Sequence, residues 1–387
     1  MFKSGDDQQQ MIFFHDDIDG IYTAAMFMYV CTPRDVHRLY PLKTSMRGDK
    51  FDSMFRCFSG NYRKIIVDYQ YHSDCDVWID HHQNKSFLGM DTKDIIAAYN
   101  NKVILYSPGE KSAARTLYSY LDKVNHSLIG DFKDPVKLHQ LALVDMIDSA
   151  EYPDVNFVFT NTEPIMVLRA YLENIKLSVE NTYCRMVESI VHHAFDLRRV
   201  LFSLNIDDSE IMYLKKQATR ILKKITISKD VGITSCSTMY EYPRYSEYFT
   251  NNGLPFSIRI ITLGGGRIHC DVGSNPWVKI DREFNIGNFL SGLDYTFSGG
   301  GHKGVGGAVL KEGDINRFID ETVSYLNGGD EMEKYAVDPE DAVERTAQGI
   351  VKEAEKTGSS VSLDEARAIA AKQEKGKDNA NVQGGTL

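Results

Sequence analysis

Four short apolar runs fall within the first part of the chain, and three of them stop abruptly at an acid or an imidazole. Met11-Ile12-Phe13-Phe14 leads into His15-Asp16-Asp17-Ile18-Asp19-Gly20, Lys64-Ile65-Ile66-Val67 into Asp68, and Asp76-Val77-Trp78-Ile79 into Asp80-His81-His82. The fourth is Lys102-Val103-Ile104-Leu105. Short apolar runs without polar alternation have the pattern of strands buried on both faces. Between them, Tyr22 to Val30 and Ser112 to Leu121 carry helical spacing, with Pro108-Gly109 as the turn into the second. Strands alternating with helices build βαβ units around a largely parallel sheet, so the fold class is α/β.

Such a sheet brings the carboxyl ends of adjacent strands to one crevice. The acids and imidazoles at the three strand ends therefore converge, although they are far apart in sequence. Crowded carboxylates repel one another unless a cation lies between them. Oxygen donors mixed with imidazole suit divalent manganese, iron or zinc. A further contributor lies in Leu141-Ala142-Leu143-Val144-Asp145-Met146-Ile147-Asp148-Ser149-Ala150, where Asp145 and Asp148 share one helical face and either is a candidate. A helix cap or a solvated turn explains any one of these acids, but not all three strand ends together.

At 387 residues the chain is long enough for two to three domains. Residues 1–163 form the first α/β domain, and 164–225 a mostly helical connector. Residues 226–328 form a smaller α/β domain with the run Phe256-Ser257-Ile258-Arg259-Ile260-Ile261, a Gly264-Gly265-Gly266 turn and a second glycine cluster near Gly299. Residues 329–387 are rich in Glu, Lys, Ala, Asp and Gln, the composition of a charged, disordered tail with two short helices. The longest apolar run, Ala24 to Cys31, is far too short to cross a bilayer, and the polar start MFKSGDDQQQ has no leader pattern. Cytoplasmic residence without membrane contact is expected. The six cysteines stand singly, which suits reduced thiols. Lys plus Arg number 44 against 54 Asp plus Glu, a net charge of −10 that disfavours tracking long duplex nucleic acid.

Gly299-Gly300-Gly301-His302-Lys303-Gly304-Val305-Gly306-Gly307 is the other informative stretch. Glycines let backbone N–H groups turn towards an anion, and imidazole and ammonium add donors, so Gly300, Gly301, His302 and Lys303 form a candidate phosphate cradle. The plainer alternative is an ordinary glycine-rich turn. His192-His193 lies in a helical stretch with few acids nearby and is read as surface or core packing. Tyr240, Tyr242, Tyr245 and Tyr248 are read as packing residues rather than base-stacking platforms.

His15-x-Asp17-x-Asp19-Gly20, Asp68, Asp80-His81-His82, Asp148-Ser149 and Gly299-Gly300-Gly301-His302 occur in the order of the motifs of the DHH phosphoesterases. From about residue 10 to 325 the chain resembles this family with its DHHA1 second domain, including RecJ-related and oligoribonuclease-like members. The resemblance implies a parallel-sheet DHH domain over 1–163, a DHHA1 domain over 226–328, and a dinuclear metal site in a cleft between them. The metal is usually manganese, with magnesium or cobalt as alternatives. His15, Asp17 and Asp19 would bind metal, Asp68 would bridge two ions, and His81 and Asp148 would complete the set, with Asp145 as the alternative. His82 would face the substrate, with Asp80 fixing an imidazole tautomer behind it. Two departures bear on substrate: Val305-Gly306-Gly307 stands where Ala-Ala-Gly is common, and Asp271-Val272-Gly273-Ser274-Asn275 lacks an arginine often found there.

The implied activity is a two-metal phosphodiesterase that cleaves short oligonucleotides or linear or cyclic dinucleotides to nucleoside monophosphates. A short oligonucleotide or dinucleotide is the expected partner; long duplex and membrane are not, and a homodimer is allowed. The alternatives are a phosphatase for pyrophosphate, polyphosphate or phosphorylated nucleotides, and a non-catalytic nucleotide-binding module.

Overall fold

The computed structural model describes residues 9–31, 37–43, 46, 49–58, 62–82, 95–99, 102–175, 180–237, 242–301 and 303–329. They divide into two compact units, Met1–Thr219 and Arg220–Leu387.

The first unit opens with β1 (Gln10–His15), α1 (Ile18–Cys31), β2 (His37–Leu42), α2 (Asp49–Cys57), β3 (Arg63–Val67) and β4 (Val77–Asp80). β5 (Ile95–Tyr99), β6 (Lys102–Tyr106), α3 (Ala113–Lys123) and α4 (Pro135–Asp148) follow. The four apolar runs are β1, β3, β4 and β6. Helix α1 begins four residues before its predicted start because the Asp17 carboxylate accepts the Gly20 N–H at 3.0 Å and caps it. The sheet order is β2-β1-β3-β4-β6-β5, with every pairing parallel except β5 with β6. Strands β2 and β5 and helix α2 were not expected from the sequence. β2 carries Pro41, which a sheet tolerates at an edge, and it lies at the edge.

Both faces of the sheet are covered, which is why its strands lack alternation. Met11, Phe13, Ile66, Trp78 and Ile104 pack on one face with Phe51 and Phe55 of α2. Ile12, Phe14, Ile65 and Val67 are buried as well, on the opposite side of their strands.

Beyond α5 (Val155–Thr160) come α6 (Pro164–Asn174), α7 (Glu180–His192), α8 (Leu197–Leu204) and α9 (Ser209–Thr219). These helices do not form a separate connector: α7 packs along α1 and α6 against α4, so the boundary between units falls at Thr219. Their buried faces, including Met186, Val187 and Ile190 of α7, find partners in the first unit's own helices. His192 is exposed at the end of α7, with the His193 ring 4.8 Å away.

The second unit contains β7 (Ile225–Ser228), β8 (Val231–Cys236), α10 (Ser246–Thr250), β9 (Phe256–Gly264) and β10 (Arg267–Ser274). α11 (Ile286–Ser291), β11 (Thr296–Gly301), β12 (Val305–Lys311) and α12 (Ile315–Leu326) complete it. The sheet order is β11-β12-β10-β9-β8-β7, antiparallel except for β8 with β9. Ile258, Ile260, Cys270, Val272 and Leu310 build its core against Phe289 and Leu290 of α11 and Phe318 and Leu326 of α12. Gly264, Gly265 and Gly266 form the hairpin turn with positive φ, as the glycine run predicts. Tyr242 and Tyr248 are buried, while Tyr240 and the tail beyond Gly329 lie outside the described residues. Among the described residues no helix is long and apolar enough to cross a membrane, and Cys57, Cys75 and Cys270 are free thiols.

Candidate metal centre

The first sheet changes direction of winding between β1 and β3: the chain leaves β1 to add β2 on one side and returns to add β3 on the other. In open α/β sheets the crevice at such a point is where ligands bind. His15 ends β1, Asp17 caps α1, and Asp19 sits in its first turn. Asp68 follows β3 with its backbone in the left-handed region (φ 54°), held there as its N–H donates to the Ile79 carbonyl at 2.8 Å. Asp80 ends β4, and His81 and His82 follow it.

These side chains meet. His15 Nδ1 lies 2.6 Å from Asp17 Oδ2 and 3.5 Å from Asp68 Oδ2. His81 Nε2 lies 2.9 Å from Asp148 Oδ2 and 3.7 Å from both Asp19 Oδ2 and Asp68 Oδ1. His82 Nδ1 lies 3.6 Å from Asp68 Oδ1. Three overlapping groups of possible ligands result: His15, Asp17 and Asp68; Asp68, His81 and His82; Asp19, His81 and Asp148. Asp68 belongs to two of them and joins one end of the cluster to the other.

The electrostatics are those of a site short of positive charge. Asp68 is fully buried, and neither carboxylate oxygen receives a hydrogen bond from a donor of acceptable geometry. Burial, reinforced by Asp19, Asp17 and Asp148, pushes its carboxyl well above the usual range. Burial and then the charge of Asp148 push Asp19 up to about 7. Burial alone would lower His81, but Asp148 and Asp19 outweigh it and hold the imidazole up to about 10. At Asp17 burial opposes ionisation, yet the adjoining His15 holds the carboxyl below its ordinary value. A carboxylate with two unbonded buried oxygens among three other acids fits a cation, and the mixed oxygen and imidazole donors fit a divalent transition metal.

Surrounding groups aim these side chains. The Glu110 carbonyl accepts from His81 Nδ1 at 3.2 Å, leaving Nε2 turned to the three carboxylates. Asp80, itself buried, meets His82 Nδ1 at 2.8 Å and accepts the His81 backbone N–H at 2.9 Å. Tyr106 donates to the His82 carbonyl at 2.9 Å. The Ala113 and Ala114 amides at the start of α3 donate to Asp19 at 2.6 and 2.9 Å. Of the two aspartates on α4, Asp148 faces the cluster, whereas Asp145 is engaged by Ser112 and Arg115. Sequence reasoning missed Glu110, Ser112 and Arg115. Ser112 ahead of Ala113-Ala114 is a recognisable N-cap signal, but nothing local says that the capped helix receives Asp19.

The second motif is a β-hairpin rather than a glycine turn: Gly299, Gly300 and Gly301 belong to β11 and pair with Ala308, Gly307 and Gly306 of β12. Two of these glycines have a packing reason. A Cβ on Gly299 would lie 2.2 Å from the Leu290 carbonyl oxygen, and one on Gly301 2.3 Å from the Val305 oxygen. The hairpin end is anchored as the Ser274 N–H donates to the Gly304 carbonyl at 2.8 Å and the Ile286 N–H to the Lys303 carbonyl at 3.0 Å. Lys303 is exposed, and His302 lies outside the described residues.

No protein-family model and no curated protein matches the sequence. Solved structures do. RecJ from Thermus thermophilus in complex with manganese aligns with a TM-score of 0.46 at 11% identity, over 83% of this chain and 52% of its own. A pGpG-specific phosphodiesterase, PggH from Vibrio cholerae, aligns with a TM-score of 0.53 at 15% identity, over 83% of this chain and 99% of its own. The chain therefore has the fold of the Vibrio cholerae phosphodiesterase.

Proposed function

We propose that this chain is a metal-dependent phosphodiesterase of the DHH family that hydrolyses dinucleotides and short oligonucleotides to nucleoside monophosphates. The observation that carries the reading is Asp68, a wholly buried carboxylate with both oxygens unbonded, flanked by Asp17, Asp19, His81 and Asp148. The fold shared with a dinucleotide phosphodiesterase supports a diester of this size, and the net charge of −10 favours a short substrate over a long one.

In this reading His15, Asp17, Asp19, Asp68, His81 and Asp148 would hold two divalent cations, Asp68 belonging to two of the three ligand groups. Manganese is the expected metal, and magnesium or cobalt would serve. Cations held there supply Lewis acidity and lower the pKa of water to the neutral range. The protein's own groups do the rest. Glu110 keeps His81 Nε2 directed at the site. Asp80 holds His82 at Nδ1, which leaves the Nε2 of this partly exposed ring to exchange a proton with the substrate. Gly300, Gly301, His302 and Lys303 bind phosphate through backbone N–H groups and side-chain charge.

Incubating the protein with manganese and a panel running from dinucleotides to decamers, beside pyrophosphate and nucleotide monoesters, tests the reading. Cleavage fastest on the shortest diesters is expected. Release of free phosphate from pyrophosphate or monoesters with all diesters intact would overturn it.

A further inference from the structure

Asp19 and Asp148 enter the site from different elements, the first turn of α1 and the last turn of α4. Without a cation they are like charges that repel, so something else must set their separation before a metal arrives. A hydrogen-bonded path connects them. Asp19 is held at the start of α3 by the N–H groups of Ala113 and Ala114, at 2.6 and 2.9 Å, and by the Thr23 hydroxyl at 3.1 Å. One residue earlier, fully buried Ser112 caps α3, its Oγ accepting the Arg115 N–H at 2.9 Å. The same hydroxyl donates to Asp145 Oδ1 at 2.6 Å. The Arg115 side chain closes the unit, giving Nε and Nη2 to Asp145 Oδ2 at 2.9 and 2.6 Å. Asp148 lies three residues beyond Asp145 on the same face of α4 and meets His81 at 2.9 Å.

We propose that Asp145, with Ser112 and Arg115, is a positioning residue that locks the end of α4 to the start of α3 and so presets the distance between Asp19 and Asp148. The inference rests on the metal-centre reading, but it concerns a residue that touches no ligand atom of the cluster. Both Asp145 oxygens are occupied by charge-assisted or hydroxyl bonds, which are short and directional and fix geometry as well as energy. The guanidinium also withholds Asp145 from the cations, so of two acids on one helical face only Asp148 is free to ligate.

The test compares Asp145→Ala, Asp145→Asn and Arg115→Met with Asp148→Asn in the full chain. Manganese affinity is measured by calorimetry below the melting temperature of each variant, and amide hydrogen exchange at Ala113 and Ala114 is measured in metal-free protein. Asp145→Ala and Arg115→Met are expected to weaken manganese binding roughly 10–100-fold and to speed exchange at these two amides relative to later amides of α3. Asp145→Asn, which keeps an acceptor for Ser112, should fall between them and wild type. Asp148→Asn should lose affinity with exchange unchanged. Variants that melt earlier yet bind manganese like wild type, with an unaltered exchange ratio, would overturn the proposal and leave Asp145 a stabilising residue only. If wild-type protein takes up no manganese, the metal-centre reading fails instead, and the exchange ratio alone decides whether Asp145 holds Asp19 in place.

Discussion

Each unit buries an acid, and the two are treated in opposite ways. In the second unit Glu247 accepts three hydrogen bonds from the Arg259 guanidinium at 2.9 to 3.0 Å, and Arg259 also donates to the Tyr242 and Pro243 carbonyls. In the first unit Asp68 is buried at least as deeply, and no donor among the described residues bonds to either of its oxygens. The contrast shows that this protein can build a counter-charge for a buried carboxylate where the carboxylate serves the fold. At Asp68 the adjoining basic groups are the imidazoles of His15, His81 and His82, 3.5 to 3.7 Å away, and Asp19, Asp17 and Asp148 add negative charge around it, so a bound cation would supply there what Arg259 supplies to Glu247.

Four measurements would break or sharpen that contrast. The largest effect is expected from Asp68→Asn, because asparagine tolerates the left-handed backbone and keeps the shape while removing the shared charge. Manganese-dependent turnover of a dinucleotide should fall on the order of 100-fold or more, while thermal unfolding shows the metal-free protein becoming more stable. Turnover at the wild-type rate would remove Asp68 from the mechanism. Glu247→Ala should act in the reverse sense, leaving Arg259 buried and unpaired and destabilising the second unit by about 3–5 kcal/mol in denaturant unfolding, with manganese affinity unchanged.

A third measurement is the pH dependence of the metal-free melting temperature. Asp19 is raised to about 7 and His81 to about 10, and Asp68 is also raised, so the folded state holds more protons than the unfolded chain. Stability should therefore fall as pH rises from about 4 through 7 for the aspartates, and on towards 10 for the imidazole. Manganese displaces those protons, so the stabilisation it confers should grow over the same range. A metal-free melting curve that rises between pH 5 and 8 would contradict the assigned burial of charge. The smallest effect belongs to His192→Ala at the exposed end of α7, where stability should change by no more than about 0.5 kcal/mol and manganese affinity not at all.

The strand ends were legible in the sequence because a doubly covered sheet leaves unbroken apolar runs, and the first polar residue after each run marks where the crevice begins. Strand β2 was not legible, since Pro41 and Arg38 belong to an edge whose one strand partner among the described residues is β1. Strand β11 was missed for a related reason: Gly299 to Gly301 carry no side chains to alternate, and their pairing with β12 is visible only in three dimensions. Asp145 and Asp148 could not be told apart because helical spacing puts both on one face. The residue that separates them, Arg115, comes from another helix. The helices from Pro164 to Thr219 show amphipathic spacing but not which surface they cover, so their place in the first unit is a fact of packing.

Gly20 has a consequence that reaches the choice of ion. A methyl group there would lie 2.3 Å from the carbonyl oxygen of His15, so α1 can approach the end of β1 this closely only because residue 20 has no side chain. The approach is made between His15 at the end of β1 and the helical turn that carries Asp19. Alanine at this position would push that turn away from β1 without altering one donor atom, and with the proposed cations in place a protein so changed should rank divalent ions by radius differently from its parent.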